Sequence, residues 1–193
     1  LNAEDGKNRK FIMVQVAEDI DESSAAYADG FHNICDLGKE RIRRAAKRIA
    51  SDYPNANFDR GFRVLKLDDT NMKDVYYSAD EYDQGMLKGL ETNIKEERTD
   101  LDLLFGCLLE WGLPLSLPYT SEQIEGCTVH TYNNGDLIAC FNENVPESVV
   151  KTIAKRQPLR AVFRDNSFKN SPTKINVGEI FKLMAPDTRV KVI

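Results

Sequence analysis

The sequence predicts an α/β protein in two parts, and three observations carry that prediction. Short β-type runs alternate with longer segments whose apolar residues recur at helical spacing. An Asn-Gly pair lies between two β-prone runs. Residues 51 to 60, SDYPNANFDR, break the pattern with a proline, several Asn and Asp, and little apolar content, which marks a linker.

The N-terminal part begins with a polar, turn-like decapeptide. Phe11 to Val16, FIMVQV, is a short apolar stretch of buried-strand type, compatible with the parallel sheet of an α/β domain. Residues 17 to 31 are acidic and small and read as a loop. Ile34, Leu37, Ile42, Ala45, Ala46 and Ile49 then recur at helical spacing and predict a helix over residues 34–50. Strand, loop and helix make half of a wound α/β unit.

The second part opens at Gly61. Phe62, Val64, Leu65 and Leu67 predict a strand, followed by an aromatic-rich turn and two helical segments reaching Leu115. In the second helix Thr99 is the expected N-cap, Asp100 and Asp102 suit the positive end of the dipole, and Gly112 marks the stop. Thr128–Tyr132 and Asp136–Phe141 flank Asn133-Asn134-Gly135 and predict a hairpin. Pro146 opens a helix carrying Val149, Val150, Ile153 and Ala154. Leu159–Phe163 reads as a buried strand, Ser171-Pro172 opens a last helix, and Arg189–Ile193 alternates as a closing strand. The result is a mixed sheet with helices packed on it.

A net charge of −5 argues against a freestanding nucleic-acid-binding module. No run of about 18 apolar residues appears, so no transmembrane helix is expected. Cys35, Cys107, Cys127 and Cys140 lie far apart, as reduced structural thiols of a cytoplasmic protein do.

The helix over residues 34–50 carries Lys39, Arg41, Arg43, Arg44, Lys47 and Arg48 against Asp36 and Glu40. Such a face can meet phosphates or an acidic partner, although most charge runs are solvated faces with stems over apolar neighbours. His32 and Cys35 at i, i+3 offer half a metal site, yet zinc takes three or four protein ligands and no second pair stands nearby. Tyr76, Tyr77 and Tyr82 keep acidic company, which points to a core edge or a protein interface rather than to bases. Trp111 reads as a core or interface anchor, and Arg164-Asp165 as an ion pair or cap at a strand end.

Phe62-Arg63-Val64, Asn71-Met72-Lys73-Asp74-Val75-Tyr76-Tyr77, Asn93-Ile94-Lys95-Glu96 and Leu103-Leu104-Phe105 together form an ordered pattern. It extends to Arg41-Ile42-Arg43-Arg44 upstream and Ala161-Val162-Phe163-Arg164-Asp165 downstream. This pattern resembles the C-terminal region of type III restriction-modification methylation subunits (Mod), which are adenine-specific DNA methyltransferases. The resemblance implies that residues 1–55 end a Rossmann-like, S-adenosylmethionine-dependent methyltransferase domain and that residues 56–193 form an assembly domain. It places Gln15, with Glu18 as the fallback, where a strand end faces the cofactor ribose, and makes Arg41, Arg43, Arg44 and Lys47 candidates for nucleic-acid or partner contact. It also implies DNA, a second Mod subunit and the ATP-dependent Res subunit as partners. The DPPY segment and the glycine loop that adenine methylation needs are absent from these residues, so the chain alone is expected to transfer no methyl group. A non-catalytic module for Mod dimerisation or Res docking is the alternative. An independent small enzyme is the third reading, opposed by the lack of a nucleophile–base–acid cluster, phosphate loop or metal set.

Overall fold

The computed structural model describes residues 1–73, 93–168 and 171–193. The chain divides into two units, Leu1–Leu65 and Lys66–Ile193.

In the first unit, α1 (Asn2–Asp5) and α2 (Ala25–Ala28) are single turns, and α3 (Ile34–Asp52) is the one long element. Asn33 caps α3 by accepting from the Asp36 N–H at 2.9 Å. The helix thus forms as its apolar spacing predicts. The strand expected at Phe11–Val16 does not form: the segment is irregular, and Ile12 and Val14 are 93% and 92% exposed. A strand is held by a neighbour's ladder, and here the described pairing is one isolated bridge, Asp19 to Asn33. No described residue of this unit is buried. The strand expected at Phe62–Leu67 is likewise irregular, with Val64 and Leu65 more than half exposed.

The second unit is a three-layer α/β structure. A five-stranded sheet runs in sequence order: β1 (Tyr119–Ile124), β2 (Cys127–Tyr132), β3 (Leu137–Cys140), β4 (Arg160–Phe163) and β5 (Arg189–Val192). The first three strands are antiparallel and the last three parallel, so the sheet is mixed as expected. Chain chemistry explains the change. The β2–β3 link is the short Asn133–Gly135 turn, all three residues at positive φ, which only an antiparallel return can use. The β3–β4 and β4–β5 links are long enough to carry α5 (Glu147–Lys155) and α6 (Ser171–Met184), as parallel crossovers require. Pro146 sits at the N-cap of α5, one position before its expected place.

Each strand sends alternate residues to opposite faces. Val129, Ile138, Cys140, Ala161 and Phe163 face α5 and α6, joined by Val149, Val150, Ile153, Val177, Ile180 and Phe181. Tyr132, Leu137, Ala139, Phe141 and Val162 face α4 (Asp100–Glu110), through Leu103, Leu104 and Leu108. Thr99 caps α4 in a capping box, its hydroxyl accepting from the Asp102 N–H while the Asp102 carboxylate accepts from the Thr99 N–H. Gly112, at φ 64°, ends the helix in the left-handed region. Gly106 serves a close approach: a Cβ there would lie 2.6 Å from the Asn71 amide nitrogen, which donates to the Asp102 carbonyl at 2.9 Å. Asn71–Lys73 and Asn93–Lys95 pair across the Met72–Ile94 bridge. The expected tyrosine-rich turn with Tyr76, Tyr77 and Tyr82, and the first of the two expected helical segments, lie outside the described residues.

Candidate functional site

Three groups of side chains are candidates. The first is the exposed loop that ends at α3. Gln15 and Glu18 are both exposed on irregular backbone, and the Gln15 amide donates to the Val16 carbonyl at 3.1 Å. The Glu18 carbonyl accepts from the Ile34 N–H at 2.9 Å, which ties the loop to the start of α3. Ribose recognition needs two hydroxyls met by a strand-end acceptor. Within Leu1–Leu65 neither side chain stands on a strand.

The second group is the basic face of α3. Arg41, Arg43, Arg44 and Lys47 are all exposed. Glu40 gathers part of this charge: the Arg44 Nε donates to it at 2.8 Å and Arg43 approaches to 3.9 Å. The Arg44 hydrogen bond, with the charges of Arg44, Arg43 and Lys47 behind it, holds the Glu40 carboxyl below its usual range. Arg43 also lies 5.8 Å from the Phe62 ring centroid. Arg41 and Lys47 make no ion pair among the described residues. The face is therefore half neutralised from within, and its free charge is concentrated on Arg41 and Lys47. Its apolar side is open too, with Ile34 and Leu37 each 40% exposed. His32, by contrast, meets Tyr27 edge-on at 5.0 Å, and Cys35 Sγ lies 3.7 Å from the Gln15 and Val16 carbonyls. Among the described residues no three His, Cys, Asp or Glu side chains could jointly hold a metal ion.

The third group escaped the sequence reading because its members come from three separate elements. On the α4 side of the sheet, Ser121 of β1 is the register partner of His130 of β2, and Oγ lies 2.8 Å from Nδ1. Asp100, at the start of α4, brings Oδ2 to 3.5 Å from Nε2. Which of Ser121 Oγ and Nδ1 donates follows from the imidazole tautomer. The residue types are those of a nucleophile–base–acid set, but Nε2 forms no hydrogen bond at that separation. His130 is 4% exposed and tilts against Phe141 at 6.3 Å. The arrangement is a polar staple joining β1 and β2, with the Asp100 carboxylate of α4 close by. No sequence spacing signals it, since strand register alone sets Ser121 beside His130.

Arg164 and Asp165 follow β4. The Arg164 N–H donates to Ser167 Oγ at 3.2 Å, and Asp165 is ion-paired with Lys174 of α6. They cap and tether, the ordinary reading of such a pair. Trp111 follows α4 and packs beside its apolar cluster.

Among the described residues no helix is long and apolar enough to cross a membrane. No family model matches the chain. The Mod subunit of the type III restriction-modification enzyme StyLTI of Salmonella typhimurium is 35% identical to it over 67 residues. The match covers 35% of this chain and 10% of that protein, so the chain spans a small part of the relative's length. The chain thus contains a region related to a type III restriction-modification Mod subunit.

Proposed function

We propose that this chain is the C-terminal portion of a type III Mod-like methylation subunit, one that completes and assembles a larger enzyme without a reaction centre of its own. The intact protein, on this reading, transfers a methyl group to N6 of adenine in DNA and works with a second Mod subunit and a Res subunit. S-adenosylmethionine would supply the methyl group. Residues 1–55 would end the methyltransferase domain, with Gln15 or Glu18 near the cofactor only once neighbouring strands hold that loop. Residues 56–193 would form the assembly domain. Arg41, Arg43, Arg44 and Lys47 would meet DNA phosphates or an acidic partner surface.

One observation carries the reading beyond the sequence similarity: a stretch of 65 residues has an amphipathic helix and an apolar hexapeptide, yet buries no side chain. Full burial of a Val, Leu, Ile, Phe or Met is worth about 1.5–3 kcal/mol. Leaving Phe11, Ile12, Met13, Val14 and Val16 in water forgoes most of that, which fits a segment whose core lies in other polypeptide.

The test is to co-express the chain with the upstream methyltransferase segment of a type III Mod subunit and follow transfer of a labelled methyl group to adenine. The chain alone should bind no S-adenosylmethionine by calorimetry and transfer nothing, while the pair should co-purify and methylate. Micromolar cofactor binding by the chain alone, or no association of the two segments, would overturn the proposal. The same pull-down with Arg41→Gln and Lys47→Gln reports whether the α3 face contributes. If association occurs without any gain in methylation, the non-catalytic docking module becomes the better reading.

A further inference from the structure

The α4 side of the sheet is apolar under α4 but changes character on its last two strands. Alternation puts Arg160 of β4 and Arg189 and Lys191 of β5 on this face, and the register sets Arg160 opposite Arg189 and Val162 opposite Lys191. Trp111, just past the end of α4, reaches the same corner. Arg160 Cζ lies 5.7 Å and Lys191 Nζ 5.9 Å from its ring centroid.

The cations are unevenly satisfied. Lys191 is ion-paired with Glu110. Arg160 has no ion pair among the described residues, and its Nε is shielded from solvent without a hydrogen-bond partner. A shielded guanidinium N–H with no acceptor is costly, and guanidinium and ammonium groups sharing one ring repel each other. The repulsion falls when an oxyanion enters, because the guanidinium fork matches its oxygens and the ammonium supplies a point charge. Among the described residues, Arg160, Arg189 and Lys191 gather here beside Glu110, in a chain of net charge −5.

We propose that Trp111, Arg160, Arg189 and Lys191 form a phosphate-binding corner for the backbone of a nucleic-acid strand. A backbone phosphodiester sits between Arg160 and Lys191, and exposed Arg189 meets its neighbour along the strand. The site lies on the two outermost parallel strands, an edge that a polymer can follow, and an indole beside cations is the combination that strand-binding surfaces use. The inference stands whether or not the chain belongs to a methylation subunit, and it uses none of the α3 residues.

Trp111 is the sole tryptophan, so its emission reports this corner directly. Titrating the full chain with a DNA oligonucleotide, as single strand and as duplex, should change that emission, with affinity falling as salt rises. Arg160→Gln should weaken binding about tenfold, the loss of one charge-assisted contact. Glu110→Gln, which frees Lys191, should tighten it, and this gain cannot come from misfolding. Inorganic phosphate and a polyglutamate peptide serve as controls. No emission change with either DNA form, or equal affinity in wild type and Arg160→Gln, would overturn the proposal. So would a response to phosphate or polyglutamate as strong as that to DNA. A loss confined to Arg44→Gln would also overturn it, since that residue belongs to the α3 face.

Discussion

Burial decides how the four cysteines behave. Desolvation pushes the Cys140 thiol up to about 12 and the Cys107 thiol up to about 11, far from the range where a thiolate forms readily. Cys127 is also buried, in the cluster under α5 and α6, whereas Cys35 is half-exposed beside the Gln15–Val16 loop. Maleimide labelling of the native chain at mildly alkaline pH should therefore add one adduct, on Cys35, with the other three thiols reacting only in denaturant. Mass spectrometry of peptides from both states checks this, and rapid native labelling of Cys140 would contradict the packing described. The sequence spaces the four cysteines far apart. It could not separate Cys35 from the rest, because exposure depends on which layer covers each residue.

At the scale of elements, α4 shows how much can be read locally. Its cap, its acidic first turn and its stop are all written in neighbouring residues, and all are found in place. The Thr99 hydroxyl and backbone N–H both donate to the Asp102 carboxylate and hold its pKa below the ordinary value of 3.8. A carboxyl with a lowered folded-state pKa stabilises the fold fully above its unfolded value, and the contribution disappears as pH falls through the folded value. Replacing the cap, Thr99→Ala, should cost about 1 kcal/mol at neutral pH. Urea unfolding should show the gap between wild type and Asp102→Asn closing as pH is taken below 3.8. A gap independent of pH would mean that the carboxylate is not the acceptor.

The strands were less legible. The Asn133–Gly135 hairpin and the apolar β4 announce themselves, whereas β1, YTSEQI, is polar along most of its length because it is an edge strand exposed to water. Its signal was the Glu125-Gly126 turn, both residues at positive φ, between Ile124 and Cys127. Phe11–Val16 and Phe62–Leu67 err the other way: composition favours a strand, but neither segment has a partner to pair with among the described residues.

Across the whole molecule the two units differ in what holds them. Lys66–Ile193 owns two apolar clusters on either side of its sheet, and Leu1–Leu65 owns none. Local opening is cheapest where few apolar contacts must be broken. Limited proteolysis should therefore cut within residues 1–65 first and leave a resistant piece containing residues 93–193, and amide exchange should be fast in α3 despite its helical form. Equal protection of α3 and of β3 would show that the first unit is stabilised in a way its exposed side chains do not reveal.

The amino-acid order by itself determined the α/β class, the positions of α3 to α6 and the hairpin, because propensity, capping and turn chemistry act over a few neighbouring residues. Only the tertiary structure decided which apolar runs become strands, that Ser121, His130 and Asp100 meet, and that Arg160 and Lys191 flank one indole. Those outcomes depend on ladder register and on which face a layer covers, and both are set by residues far apart along the chain.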